Sequence, residues 1–189
     1  MKPYSQEAAE IHLAFRAGLV EKPAIIQWAD SVIASMDQYD DDLADIALSA
    51  RKLPMEIDSM LLHASEGADR IQATRHLLGQ MHEAMLRDRG LARDFARVLA
   101  HIVFENRYKL PKDLHFLFGL NDWFDLAEHG EGGTVRGVTN AFIKSTEPYF
   151  QRTGDDQQSS QSSAPPSGFW SRIGRLADLL RGKKRKEPT

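Results

Sequence analysis

The amino-acid sequence predicts an all-α protein: a single domain of about eight helices packed as an orthogonal array or bundle, then a disordered tether and a C-terminal amphipathic helix. Three observations lead to this prediction. Apolar residues recur at steps of three and four along most of residues 1–153, which is the period of an amphipathic helix. Strand-like alternation is almost absent. Prolines and glycines fall between the periodic segments, where they begin or end helices.

The first four periodic segments follow one another with short connections. The first has a predicted N-cap at Ser5 and runs to Leu19. The second has Pro23 in its first turn, where the missing proline N–H costs nothing. The third starts with an acidic run and ends with a basic one, as the helix dipole favours, and Pro54 opens the fourth. Each segment therefore carries its own helix signals.

The second half of the chain continues the same pattern. The longest segment starts near residue 68, and Gly90 is its predicted C′ residue. Its predicted apolar side consists of Ile71, Leu78, Met81 and Met85, with Leu86 as an optional member. Further helical segments cover residues 91–108, the aromatic stretch 114–129 and, after a glycine-rich break, 134–150. The sequence then becomes rich in Ser and Gln, which cannot bury enough apolar surface to order. The predicted organisation is a globular domain at 1–153, a flexible linker at 154–168, an amphipathic helix at 169–181 and a basic terminus at 182–189.

Charge is unevenly distributed along the chain. The formal charge is −3, but residues 169–189 carry seven basic and two acidic residues, a net +5, which leaves −8 for residues 1–168. An acidic body argues against nucleic acid as a partner of the body. The chain has no cysteine, and residues 1–15 lack the apolar run of a secretory signal. We therefore expect a cytoplasmic protein, free or peripheral on the cytoplasmic face of the membrane.

Few residues have a spacing that suggests catalysis. Asp122, Asp125 and Glu128, with His129 beside them, could bind a hard metal ion, and a metal-dependent hydrolase is one alternative function. However, the first and last carboxylates diverge on a helix, and an acidic helix face capped by a glycine turn explains the pattern as well. Zinc, phosphate-loop and nucleophile motifs are missing from the sequence. The prediction is a non-enzymatic protein with no metal and no cofactor.

Two groups of residues are candidates for binding a protein partner. A dense acidic run lies at the start of the third helix, where it serves as helix-start charge or as a docking patch for a basic partner such as a toxin or a basic enzyme. The second group lies in the aromatic stretch and combines an aromatic side chain with acidic ones. The candidate partner-binding residues are Asp40, Asp41, Asp42, Asp45, Asp122, Trp123 and Asp125.

Two stretches resemble a loosely defined set of small bacterial all-helical proteins, themselves similar to immunity proteins of toxin systems. The matching positions are Gly18, Leu19, Val20, Trp28, Ala29, Asp30, Leu43, Ile46, Leu48 and Ser49, then Asp122, Phe124, Leu126, Ala127 and Gly130. Where the set has Gly-Ile-Tyr-Gly, this chain has residues 129–133, HGEGG. The resemblance covers about residues 10–150 and implies an immunity-like module that acts by occluding a partner.

Residues 169–181 predict an amphipathic helix too short to span a bilayer. An apolar arc with aromatics at one end and cations at the other is typical of an interfacial helix, so an anionic membrane is the first predicted target. The predicted membrane-binding residues are Phe169, Trp170, Arg172, Ile173, Arg175, Leu176, Leu180, Lys183, Lys184, Arg185 and Lys186. The alternatives are a groove on a partner or on this domain, and a nucleic-acid or import signal. A membrane-associated adaptor without a toxin partner is therefore a second alternative function, and the oligomeric state stays open.

Overall fold

The computed structural model describes residues 2–38, 40–106 and 110–159 of the chain. Across these ranges it contains eight α-helices and two 3-10 helices, and no strand. The predicted all-α class is therefore confirmed. The helices are α1 (Ser5–Arg16), α2 (Lys22–Ser35), α3 (Asp41–Ala47), α4 (Pro54–Ala64), α5 (Arg70–Arg87), α6 (Leu91–Asn106), α7 (Leu120–Glu128) and α8 (Val135–Ser159).

Residues 1–68 and 69–155 form two compact units. The first unit holds α1 to α4, and the second holds α5 to α7 with most of α8. The sequence prediction treated residues 1–153 as one domain and did not mark this division. Each unit has its own set of packed helices.

In the first unit, α1 packs against α4, and α3 packs against both α2 and α4. The apolar faces predicted from the helical period supply the core, whose largest fully buried members include Ile11, Ile25, Trp28, Leu43, Ile46, Ile57 and Leu61. On α2 this burial stops at Ala29, and Val32 and Ile33 are half-buried. The apolar stripe of α2 is therefore longer than the surface that the unit covers.

Buried polar side chains connect the helices of the first unit. The indole N–H of Trp28 donates to Glu7 of α1 at 3.1 Å. Nε2 of His12 lies 2.9 Å from the Asp58 carboxylate of α4. These contacts give buried polar atoms the partners that they need away from water. They fix how α2 and α4 lie on α1.

In the second unit, α6 packs against α5, α7 and the 3-10 helix Lys112–Leu117. The buried ring of His82 on α5 ties α8 to that helix, since its Nδ1 lies 3.0 Å from both the Ile143 carbonyl oxygen and the Thr146 hydroxyl. Tyr149 of α8 donates its hydroxyl to the Asp113 carbonyl oxygen at 2.9 Å. These hydrogen bonds thus attach α8 to α5 and to the 3-10 helix.

Glycines divide the second unit at two places, one of them inside the stretch 114–129 that the sequence predicts as a single helical segment. Gly119 has φ +77°, a left-handed conformation that separates the 3-10 helix from α7 inside the aromatic stretch. Gly130, Gly132 and Gly133 also have positive φ, and they separate α7 from α8. The glycine-rich segment is therefore a helix break.

Several local predictions are wrong. Ser5 is not an N-cap: it is the first residue of α1, and Tyr4 precedes it without a side-chain cap. The turn after α5 is made by Asp88, whose carboxylate accepts from the Gly90 amide, so Gly90 has no left-handed φ. Leu86 does not join the apolar side of α5 but is 55% exposed. Residue type alone did not fix any of these three positions.

The chain after Thr153 is described only in part. Helix α8 continues to Ser159, through the first six residues of the predicted linker. The rest of the linker, the predicted amphipathic helix at 169–181 and the basic terminus lie outside the described residues. In the parts of the chain that the structure describes, no helix is long and apolar enough to cross a bilayer.

Candidate functional site

The acidic surplus of the body belongs to the first unit. Residues 1–68 contain five basic and twelve acidic residues, a net charge of −7. Residues 69–155 contain twelve of each and are neutral. The two groups of candidate partner-binding residues therefore lie in units of different charge, with the acidic run of α3 in the strongly acidic one.

Within that run, Asp40 is a structural residue. Its carboxylate caps α3 by accepting from the amides of Asp42 and Leu43 at 3.1 and 3.3 Å. It also accepts from the Tyr4 hydroxyl at 2.6 Å and pairs with Lys2 at 3.3 Å. Burial alone would raise the pKa of Asp40, but these hydrogen bonds outweigh it and hold the pKa below its usual value. Little of this carboxylate is left for a partner.

The other three aspartates differ in how much of them faces water. Asp42 is half-buried and pairs with Lys2 at 2.5 Å and with His63 at 3.6 Å. Asp41 and Asp45 are exposed. They stand four residues apart, so they lie on the same side of α3. The carboxylates of the run that face solvent are therefore Asp41 and Asp45.

Exposed apolar side chains accompany these two carboxylates. Leu48 follows Asp45 by three residues, directly after α3, and is 82% exposed. On the neighbouring helix α4, Met55 and Leu62 are also exposed and stand seven residues apart, on one side of the helix. We call Asp41, Asp45 and Leu48, with Met55 and Leu62, the acidic face of the first unit. The name groups exposed carboxylates of α3 with exposed apolar side chains that follow α3 or lie on α4, the helix packed against it.

The second candidate group is organised around Arg93 of α6. The Arg93 guanidinium donates to the side-chain and backbone oxygens of Asn121 at 2.8 and 3.2 Å. It pairs with Asp125, and with Glu128 at 3.0 Å, and it lies over the Phe124 ring at 5.6 Å. Two of the four residues suggested for metal chemistry are thus neutralised by a cation of the protein itself.

The remaining members of this group do not complete a metal site. His129 uses Nδ1 to donate to the backbone oxygen of Asp125 at 2.7 Å, at the C-terminal end of α7. Asp122 and Trp123 are exposed. Among the residues that the structure places, no three His, Asp or Glu side chains come together in a way that could hold a metal ion.

The positions that carried the resemblance to immunity-like proteins are mostly framework. Trp28, Ala29, Leu43, Ile46 and Ser49 are all buried. In the second stretch, Phe124 and Ala127 are buried as well. Burial accounts for these residue types without any binding role, since packed positions restrict size and polarity.

Two arrangements in the structure are not predicted from the sequence. One is the pairing of Arg93 with α7, which begins 27 residues later in the chain and has no local signal. The other is a groove between α5 and α8 that includes Leu86 and Phe150. The spacing of Ile143 and Phe150 on α8 is a signal for a shared helix side, but only the packed structure shows that part of this side is uncovered. The predicted membrane-binding residues of 169–186 lie outside the described residues.

Comparison of the chain with protein-family models, with curated proteins and with solved structures finds no match.

Proposed function

We propose that the protein is a non-enzymatic protein-binding module that recognises a basic partner through the acidic face of its first unit. One observation carries this proposal: the −7 charge of residues 1–68 is accompanied by the exposed carboxylates of Asp41 and Asp45 and by the exposed side chain of Leu48. Negative charge steers a basic protein toward this side, and the apolar side chains supply contact area once it arrives. The mechanism is occlusion of the surface that the partner uses.

The resemblance to immunity proteins of toxin systems suits this proposal. A toxin with a basic surface is the kind of partner that an acidic face would neutralise, and the protein would act in the cytoplasm or on the cytoplasmic side of the membrane. The residues of the first unit that support it are Asp41, Asp45 and Leu48, while Asp40 and Asp42 hold the fold around them. In the second unit, the exposed Asp122 and Trp123 are the predicted contacts that stay accessible, whereas Asp125 is paired with Arg93.

The test is photo-crosslinking from position 48 of the full-length protein. A photoreactive amino acid replaces Leu48, and the captured proteins are identified by mass spectrometry in cells of the source organism. The double substitution D41K/D45K should abolish capture of a basic protein. The matched control D94K/E131K changes net charge equally at exposed positions of the other unit and should leave capture intact.

The captured protein must then lose its own activity when the full-length protein is added in equimolar amount. Capture of the same proteins from the wild type and from D41K/D45K would contradict the proposal. Capture without loss of the partner's activity would favour the adaptor alternative, in which the face binds but does not neutralise.

A further inference from the structure

A surface groove follows the seam between α5 and α8 of the second unit. One part of it, about 480 Å³, is lined by Leu86 and Arg89 on the α5 side and by Ile143, Lys144 and Phe150 on α8. An adjoining part, about 570 Å³, shares Arg89 and continues to the start of α8, where Arg136 lines it. We call these six residues together the α5–α8 groove.

Apolar side chains form part of the lining of the groove, beside polar and charged ones. Leu86 is 55% exposed and Phe150 is 41% exposed, although both are large apolar side chains. Phe150 stacks on the ring of His82 at 5.3 Å between centroids. Because Leu86 and Phe150 line the same depression, they offer apolar contact to a ligand that enters it.

The rim of the groove is basic. Arg89, Arg136 and Lys144 are exposed and line it, and the lining includes a single acidic residue, Glu147. This is the reverse of the acidic first unit and differs from the second unit as a whole, which is neutral. A complementary ligand must therefore offer negative charge beside apolar side chains.

The shape of the groove fits a helix. Arg136, Ile143, Glu147 and Phe150 follow one another at steps of seven, four and three residues, so they lie along one side of α8. At 1.5 Å per residue they cover about 20 Å, or roughly four helical turns. The ring N–H of His82, which also lines the groove, donates to the Ile143 carbonyl oxygen at 3.0 Å and so holds α8 on α5. A binding surface fixed in this way loses little conformational freedom on binding.

We propose that the α5–α8 groove is a second docking site, which takes an acidic amphipathic helix of a protein partner. Its leucine-like side chains would lie against Leu86, Ile143 and Phe150, and its carboxylates would pair with Arg89, Arg136 and Lys144. Residues 169–189 of this chain are a poor occupant, because their net charge of +5 has the same sign as the rim. The protein would then bind a basic partner with one unit and an acidic helix with the other.

The experiment measures fluorescence anisotropy of a designed 16-residue helical peptide with the full-length protein. The peptide carries leucines at i, i+3/i+4 and i+7 spacing and glutamates at the flanking positions, and a second peptide has lysines in place of the glutamates. We expect the glutamate peptide to bind, R89E/K144E to weaken its binding at least tenfold, and L86S to weaken it at least fivefold. The matched variant R97E/K112E, which changes net charge equally at exposed positions of the same unit, should stay within twofold of the wild type.

Specific outcomes overturn this proposal. The proposal is wrong if the glutamate peptide does not bind, or if the lysine peptide binds with the same affinity. It is also wrong if R89E/K144E and R97E/K112E lose affinity for the glutamate peptide to the same extent. Competition by a short DNA duplex that depends on Arg89 and Lys144 would assign the groove to nucleic acid instead. Self-association of the wild type that R89E/K144E removes, seen by sedimentation velocity, would make a second copy the occupant. Because D41K/D45K lies in the other unit and should bind the glutamate peptide normally, the two docking proposals fail independently.

Discussion

Replacing Arg93 with methionine should destabilise the second unit strongly. The Arg93 side chain is only 15% exposed, and methionine keeps most of its length while it removes every polar contact. The two hydrogen bonds to Asn121 contribute about 1 kcal/mol each. The side chains of Asp125 and Glu128 are 48% and 39% exposed, so solvent screening limits each ion pair to below about 1 kcal/mol.

The contact with the Phe124 ring adds about 0.5 kcal/mol. Since these contributions overlap, we expect R93M to lower the free energy of unfolding by about 2–4 kcal/mol. Urea denaturation followed by far-UV circular dichroism measures this. With a denaturant slope of about 1–3 kcal/mol per molar, the midpoint should fall by about 0.7 M or more. The triple variant R93M/D125N/E128Q should recover part of the loss, because it removes the carboxylates that R93M leaves without a counter-charge.

The control is R97M on the same helix. Arg97 is exposed and pairs with Asp94 three residues earlier, so its replacement should change the free energy of unfolding by less than about 0.5 kcal/mol. Equal effects of R93M and R97M would refute the reasoning. They would mean that Arg93 does not organise α7 and that Asp125 and Glu128 are free for other chemistry.

Two further predictions concern pH and the C-terminal segment. Burial raises the pKa of Glu10 to about 7, above its value in an unfolded chain. The folded state therefore binds more protons between about pH 4.5 and 7 and loses stability as the pH rises through that range. In urea titrations E10Q should flatten this part of the stability profile, and E21Q, at an exposed position, should leave it unchanged. The full chain should co-sediment with vesicles that contain anionic lipid, and L176S/L180S should prevent this by breaking the apolar arc. Equal sedimentation of both proteins would contradict binding through an interfacial helix and would leave binding to charge alone.

The helices could be predicted from the sequence because their signals are local. Apolar period, Pro23 and Pro54 in first turns, and glycines between segments all act within a few residues. The failures have a different origin. Leu86 fits the period of α5, but the described part of the chain leaves it exposed, and only the packing of the other helices decides this.

The candidate sites show the same difference between local signals and contacts made by packing. Asp40 and Asp41 are adjacent and chemically identical, yet Asp40 is bonded to Tyr4, 36 residues earlier, while Asp41 faces water. Asp125 pairs with Arg93, which is 32 residues earlier in the chain. Sequence spacing cannot reveal such pairings, because they depend on which helices pack together.

The sequence by itself determined the all-helical class, the lack of cysteine chemistry and the opposed charges of the body and residues 169–189, since these follow from composition and local period. The tertiary structure decided which charges are available. It placed the −7 charge in the first unit, used Asp40 for capping and Arg93 to neutralise Asp125, and left Asp41 and Asp45 in water. It also brought α5 and α8 together around a basic groove. The physical reason is that the net charge and the apolar period of a segment depend only on its own residues. The burial and pairing of its side chains depend on contacts with segments far away in the chain.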